Sequence, residues 1–153
     1  MVLLVTGRCG ESCYYCPLSE AKKGKDVVYA NELLVREDDD VVKEAEAIGA
    51  RGTGITGGDP LLVMDRTVRY VRLLKERFGP GHHIHLYTAT VDREKFLTLQ
   101  EAGLDELRLH PPIERWGRLE ELGIGEAVKG LDMKVGFEVP AIPGELDGLL
   151  SIC

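Results

Sequence analysis

The sequence predicts an α/β fold built on a parallel sheet, and three observations carry that prediction. Short apolar, β-branched runs recur along the 153 residues with stretches of helical period between them. The composition does not shift along the chain, so residues 1–153 read as one domain with one core. The unusual residues (cysteines, a glycine pair, a His-Pro-Pro) fall directly after the apolar runs. With 44% hydrophobic and 29% charged residues, disorder, collagen and a membrane protein are excluded as classes. A net charge of −7, from 19 basic and 26 acidic residues, argues against a broad phosphate-binding face and a nucleic-acid partner. Met1 to Val5 is too short for a bilayer span or a signal segment, so no membrane partner and a cytoplasmic location are expected.

Five strands are expected, at Val2–Val5, Thr53–Thr56, Ile84–Thr88, Glu106–His110 and Lys134–Val139. A helix over Asp39–Ile48 puts Val41, Val42, Ala45 and Ile48 on one side, acids at its start and Gly49 at its end. A second, Asp65–Phe78, buries Val68, Val71, Leu74 and Phe78 and turns Arg66, Arg69, Arg72 and Lys75 outward as a solvated face. A third starts at an Asp92 cap and stops at Gly103. Two shorter helical pieces, Arg115–Leu122 and Gly125–Leu131, are divided by Gly123. Residues 17–36 are too many for a structureless connection and call for a small hairpin or helix, with Lys22, Lys23 and Lys25 solvating a loop. His82 and His83 are placed in the turn at Gly79-Pro80-Gly81, Trp116 packs in the interior, and Pro140 and Pro143 stiffen a loop.

The distribution of chemistry is the stronger signal. The Cys9–Cys16 loop follows strand one, Gly57-Gly58-Asp59-Pro60 follows strand two, and Thr88-Ala89-Thr90 follows strand three. His110-Pro111-Pro112 and Pro140 to Gly144 follow strands four and five. In a parallel sheet these carboxyl ends share one rim, where such folds bind ligands. Cys9, Cys13 and Cys16 stand in C-x3-C-x2-C spacing, which lets one loop present three thiolates to a cubane cluster and leaves one iron without a protein ligand. The rival is structural zinc, which takes four ligands and usually two C-x2-C knuckles; here it would borrow Cys153 or a histidine. Gly57 and Gly58 permit a close approach of main chain to ligand, and Pro60 fixes the turn. Glu138 on the last strand reads equally as an inward-pointing site residue or a salt-bridge partner.

Together these residues resemble the radical S-adenosylmethionine enzymes. Cys9, Cys13 and Cys16 match the family's CxxxCxΦC signature with Tyr15 as the aromatic, and Gly57-Gly58-Asp59-Pro60 resembles its GGEP motif with Asp for Glu. The cysteine loop so near the amino terminus and the Leu-Tyr-Thr-Ala-Thr strand end are similar to the branch related to pyruvate formate-lyase activating enzymes. The resemblance implies a partial (β/α) barrel and a [4Fe–4S] cluster on the three cysteines, with S-adenosylmethionine chelated at the open iron. Reductive cleavage would then give a 5′-deoxyadenosyl radical that abstracts hydrogen from a small-molecule or protein substrate. It further implies that the GGDP segment receives the methionine amino group and that Tyr15 lies near the adenine. Thr88, Thr90, Arg108 and His110 occupy positions where relatives make polar cofactor contacts, and a ferredoxin or flavodoxin is the implied electron donor.

Two departures qualify the match. The family core has six βα units against the five strands here, so the chain reads as a truncated core with its independent activity in question. Cys153 has no motif partner and reads as a small apolar residue. A metal-binding module without cofactor chemistry, either structural zinc or an electron-transfer iron–sulfur protein, is the alternative from another class.

Overall fold

A computed structural model describes residues 1–152; Cys153 and the expectation placed on it lie outside the described residues. Seven strands form one sheet in the order β3-β2-β1-β4-β5-β6-β7. Five of them are the expected parallel strands: β1 (Val2–Leu4), β4 (Gly52–Thr56), β5 (His83–Thr88), β6 (Glu106–Leu109) and β7 (Lys134–Phe137). The other two, β2 (Tyr29–Ala30) and β3 (Leu33–Leu34), are the hairpin that residues 17–36 required, and they pair antiparallel. The helices are α1 (Asp38–Ala47), α2 (Met64–Phe78), α3 (Arg93–Ala102), α4 (Ile124–Val128) and α5 (Leu146–Leu150). Two 3-10 segments, Pro60–Val63 and Ile113–Leu122, complete the chain. No helix among the described residues is long and apolar enough to cross a membrane.

From β1 to β7 each new parallel strand is added on the same side of the last, with no reversal of order. Right-handed crossovers then place the connecting helices on one face, which is the barrel arrangement rather than the doubly wound one. The sheet does not close; β3 and β7 are its edges, so the barrel is partial. On the helix side Leu3, Ile55, Leu86 and Leu107 stand in one cross-strand row, all fully buried. Val41 of α1, Val71 and Leu74 of α2, and Phe96 and Leu99 of α3 complete that core. Removing this apolar surface from water, worth about 25 cal/mol per Å², is the main source of stability. On β7 the row runs out: Val135 and Phe137 continue it and remain exposed.

Local signals set the helix ends. Asp40 accepts the Arg36 and Glu37 backbone N–H groups ahead of α1 (2.9 and 3.2 Å), and Asp38, Asp39 and Asp40 all sit in its first turn, favoured by the helix dipole. Asp92 caps α3 by accepting from Lys95 N at 3.2 Å. Gly123, at φ 63°, divides the 3-10 segment from α4, as expected.

Three expectations are corrected. The cations of α2 are not all solvated: Arg66 donates to Val5 O at 2.9 Å and Asp26 Oδ1 at 2.6 Å, and Lys75 donates to His82 O at 2.9 Å and Asp105 Oδ2 at 2.7 Å. Their aliphatic stems reach across the helix surface to acceptors at strand ends, which the helical wheel does not show. His82 closes the expected turn, its N–H donating to Gly79 O at 3.2 Å, whereas His83 lies beyond it and already belongs to β5. His82 is buried, stacked on Phe78 and 2.8 Å from Thr53 Oγ1. Lys22 pairs with Glu32 at 3.0 Å and lies over the Tyr29 ring, so it fastens the hairpin rather than solvating a loop.

Candidate functional site

The carboxyl ends of all five parallel strands open on one cavity of about 430 Å³. Cys9, Cys13, Tyr15 and Cys16 enter from the loop after β1, and Thr56, Gly57 and Gly58 from β4 and its turn. Tyr87, Thr88 and Ala89 enter from β5, His110 from the end of β6 and Glu138 from the end of β7. Four of the expected segments meet here; the fifth, Pro140 to Gly144, does not line the cavity, and only Glu138 just ahead of it does.

The floor of the cavity is main chain stacked on main chain. Gly58 N–H donates to Thr6 O and Asp59 N–H to Arg8 O, both at 2.7 Å, joining the β4 turn to the base of the cysteine loop. On the other side Gly7 N–H donates to Lys25 O at 2.8 Å and Gly24 N–H to Gly7 O at 2.7 Å. A Cβ at Gly7 would stand 1.7 Å from Lys22 O, and one at Gly58 2.0 Å from Arg8 O. Only residues without side chains let the three segments approach this closely.

Asp59 fixes the next segment. Its carboxylate is 2% exposed and accepts five hydrogen bonds: from Leu61 N (2.9 Å), Thr88 Oγ1 (2.8 Å), Ala89 N (3.3 Å), Thr90 N (3.1 Å) and Thr90 Oγ1 (2.8 Å). The side chain thus staples the β4 turn to the β5 turn, and Asp59 turns away from the cavity toward these donors. Thr88 still lines the cavity, but its hydroxyl proton goes to Asp59, and Thr90 is drawn beneath the rim. Pro60 is buried as the first residue of the 3-10 turn.

Cys9, Cys13 and Cys16 are free thiols on one loop, and all face the cavity. Burial pushes the Cys9 thiol up, the neighbouring Asp59, Cys13 and Glu11 add to this, and the Glu11 backbone N–H opposes it. A bound cation would reverse that balance. Tyr15 is also pushed up, by burial first and by its contact with Cys13, while Ile113 N–H donates to its hydroxyl at 3.2 Å. Three uncrosslinked thiols beside a wall without Cβ atoms form a donor set and a space that suit an iron–sulfur cluster. Among the described residues no three His, Cys, Asp or Glu side chains converge as the ligands of a single ion do. Thiolates of a cubane each bind a different iron and stand further apart.

Of the remaining expected residues, His110 lines the cavity and Arg108 does not; its guanidinium is held by Glu106, Tyr87 and Glu138. Both readings of Glu138 hold, since it pairs with Arg108 and lines the cavity. Trp116 is buried, with Nε1 donating to Pro111 O at 3.0 Å. Sequence reading missed Glu11, Tyr87, Lys23 and Gly24 as wall residues. The alternation of His83, His85 and Tyr87 with Ile84, Leu86 and Thr88 carried the signal for Tyr87.

Residues 3–113 match the profile of the radical SAM superfamily. A Methanocaldococcus jannaschii protein that carries the provisional name of a glycyl-radical enzyme activating enzyme is 44% identical over 165 residues. That alignment covers 99% of this chain and 42% of the relative, so the chain spans about two fifths of the relative's length.

Proposed function

The chain belongs to the radical SAM superfamily, and we propose that Cys9, Cys13 and Cys16 hold a [4Fe–4S] cluster with S-adenosylmethionine beside it. When bound, the pair supplies reductive cleavage of the sulfonium to a 5′-deoxyadenosyl radical, which takes a hydrogen atom from the substrate. The observation that carries this reading is the meeting of three free thiols and the Gly57-Gly58 turn in one cavity.

The chain's own residues position and enclose. Gly57 and Gly58 bring backbone carbonyls to the wall, where they accept the cofactor's amino group, and Asp59 holds that turn against the β5 end. Tyr15, fixed by the Ile113 N–H, flanks the adenine, while Thr88 and His110 line the wall around the cofactor. Pro17 and Leu18 add apolar cover, which helps keep water from a reactive radical. The relative's name supports a protein glycine as the hydrogen donor, and a ferredoxin or flavodoxin would supply the electron.

Anaerobic reconstitution with iron and sulfide tests this. A brown protein with about four irons per chain is expected, as a cubane requires. Cys13→Ala should lose most of that iron. Dithionite-reduced protein should convert S-adenosylmethionine to 5′-deoxyadenosine. A colourless protein with one tightly held zinc would establish the structural-metal alternative, and an intact cluster without 5′-deoxyadenosine would point to an electron carrier.

A further inference from the structure

The sheet face turned away from the core carries a chain of polar contacts in place of the branched aliphatic layers that fill a closed barrel. Cross-strand register sets His85 beside Glu106, and Arg108 between Tyr87 and Gly136. Arg108 Nε donates to Glu106 Oε1 at 2.8 Å; its Nη1 donates to the Tyr87 hydroxyl at 2.9 Å and to Glu138 Oε2 at 2.5 Å. The Tyr87 hydroxyl is 3.1 Å from His85 Nε2, and His83 Nε2 is 3.1 Å from Glu106 Oε2. The ladder therefore begins in the cavity wall, at Glu138 and Tyr87, and runs to the amino end of β5.

Its charges do not cancel at the cavity. Arg108 is one cation held by two carboxylates, and it lies outside the cavity wall. Among the described residues no arginine lines the cavity to take a substrate phosphate or carboxylate bidentately. Among the described residues that line the wall, Glu138 and Glu11 stand against the cation Lys23. Lys134, also on this face of β7, stands beside Glu106, about 13 Å along the strand from Glu138 at ~3.3 Å per residue. The Glu138 side chain remains 49% accessible although two neighbours brace it. Gly136 leaves the approach open, with nothing within 4 Å of where its Cβ would stand.

We infer that Glu138, braced by Arg108 and Tyr87, is a specificity residue that selects a substrate bearing a guanidinium or ammonium group. The inference rests on the functional reading above for the presence of a substrate in this cavity. A peptide side chain and a small organic cation offer the same chemistry, and the experiment separates them. Calorimetric titration of the cluster-reconstituted chain with S-adenosylmethionine present would use acetyl-Gly-Arg-amide, acetyl-Gly-Glu-amide and methylguanidine.

The arginine peptide is expected to bind at least tenfold more tightly than the glutamate peptide. Glu138→Gln should bring the two within about twofold, and Glu138→Lys should invert the order, a result that misfolding cannot produce. Methylguanidine binding more tightly than the arginine peptide would keep the cation and assign it to a small substrate. Failure of both peptides and methylguanidine to bind, equal affinities for the two peptides, or an unchanged ratio in Glu138→Gln would overturn the inference. Iron content and 5′-deoxyadenosine are read on the same samples. Their loss with the arginine preference intact would count against the functional reading and leave the cation site standing.

Discussion

Asp59 and Asp105 stand at opposite ends of β5, tying it to β4 and to β6 respectively, and their surroundings differ in kind. Asp105, at the amino end, accepts from Ile84 N at 2.6 Å and from the Lys75 ammonium at 2.7 Å, and its side chain is 32% exposed. Asp59, at the carboxyl end, is 2% exposed and meets only neutral donors. At the amino end acid, cation and backbone satisfy one another. At the carboxyl end the carboxylate is spent on holding two turns in place, and the three thiols, the glycine backbone and side chains such as Tyr15, His110 and Glu138 are left facing the cavity. One end of the sheet is closed by an ion pair and the other opens on the cavity, the end at which parallel barrels place their binding sites.

Glycine substitution should break the symmetry of the two ends most sharply. Gly58→Ala places a Cβ 2.0 Å from the Arg8 carbonyl, while a Cβ at Gly81, in the turn before β5, meets nothing within 4 Å. Gly58→Ala should fail to give soluble folded protein, and Gly81→Ala should change stability by less than about 0.5 kcal/mol in a urea titration. The carboxylates come next. Asp59→Ala strands four donors, Thr90 N–H keeping Thr88 Oγ1, and should cost about 3 kcal/mol, or ~6–12 °C in the thermal midpoint. Asp105→Asn keeps an acceptor in a half-open site and should cost about 1 kcal/mol. Equal losses would remove the contrast. Smallest is a pH effect at the amino end. Burial, with the Lys75 charge, pushes the His82 imidazole down, so the unfolded chain takes up that proton first as pH falls below about 6.5. The contribution is complete above that value and is lost on acidification. The thermal midpoint should therefore drop by a few degrees between pH 7 and pH 5, and His82→Asn should flatten part of that slope. His85 shifts in the same direction, burial again leading, and adds to the slope.

The parallel strands were legible because each is an apolar, β-branched run bounded by turn residues, and the rim followed from where those runs stop. The cysteine loop and Gly57-Gly58-Asp59-Pro60 were legible as well, since few other physical demands place such residues directly after strands. The β2–β3 hairpin was expected only from the length of residues 17–36, because strands of two residues are too short to show a period. Arg66 and Lys75 were misread because helical spacing reports where a side chain starts and not how far its stem reaches. The role of Asp59 was hidden for a similar reason. The sequence marks it as part of a turn, while its partners Thr88 and Thr90 stand about thirty positions on and are brought near only by the β4–β5 register.

A floor made of stacked peptide planes leaves little for mutation to adjust. At Gly7 and Gly58 any side chain collides with a neighbouring carbonyl, so the spacing among the three segments is set by the thickness of the chain itself. The surrounding wall is under no such restriction: Glu11, Tyr87, His110 and Glu138 are side chains whose replacement leaves the floor intact. Such a design can exchange what it recognises while the platform beneath keeps its dimensions.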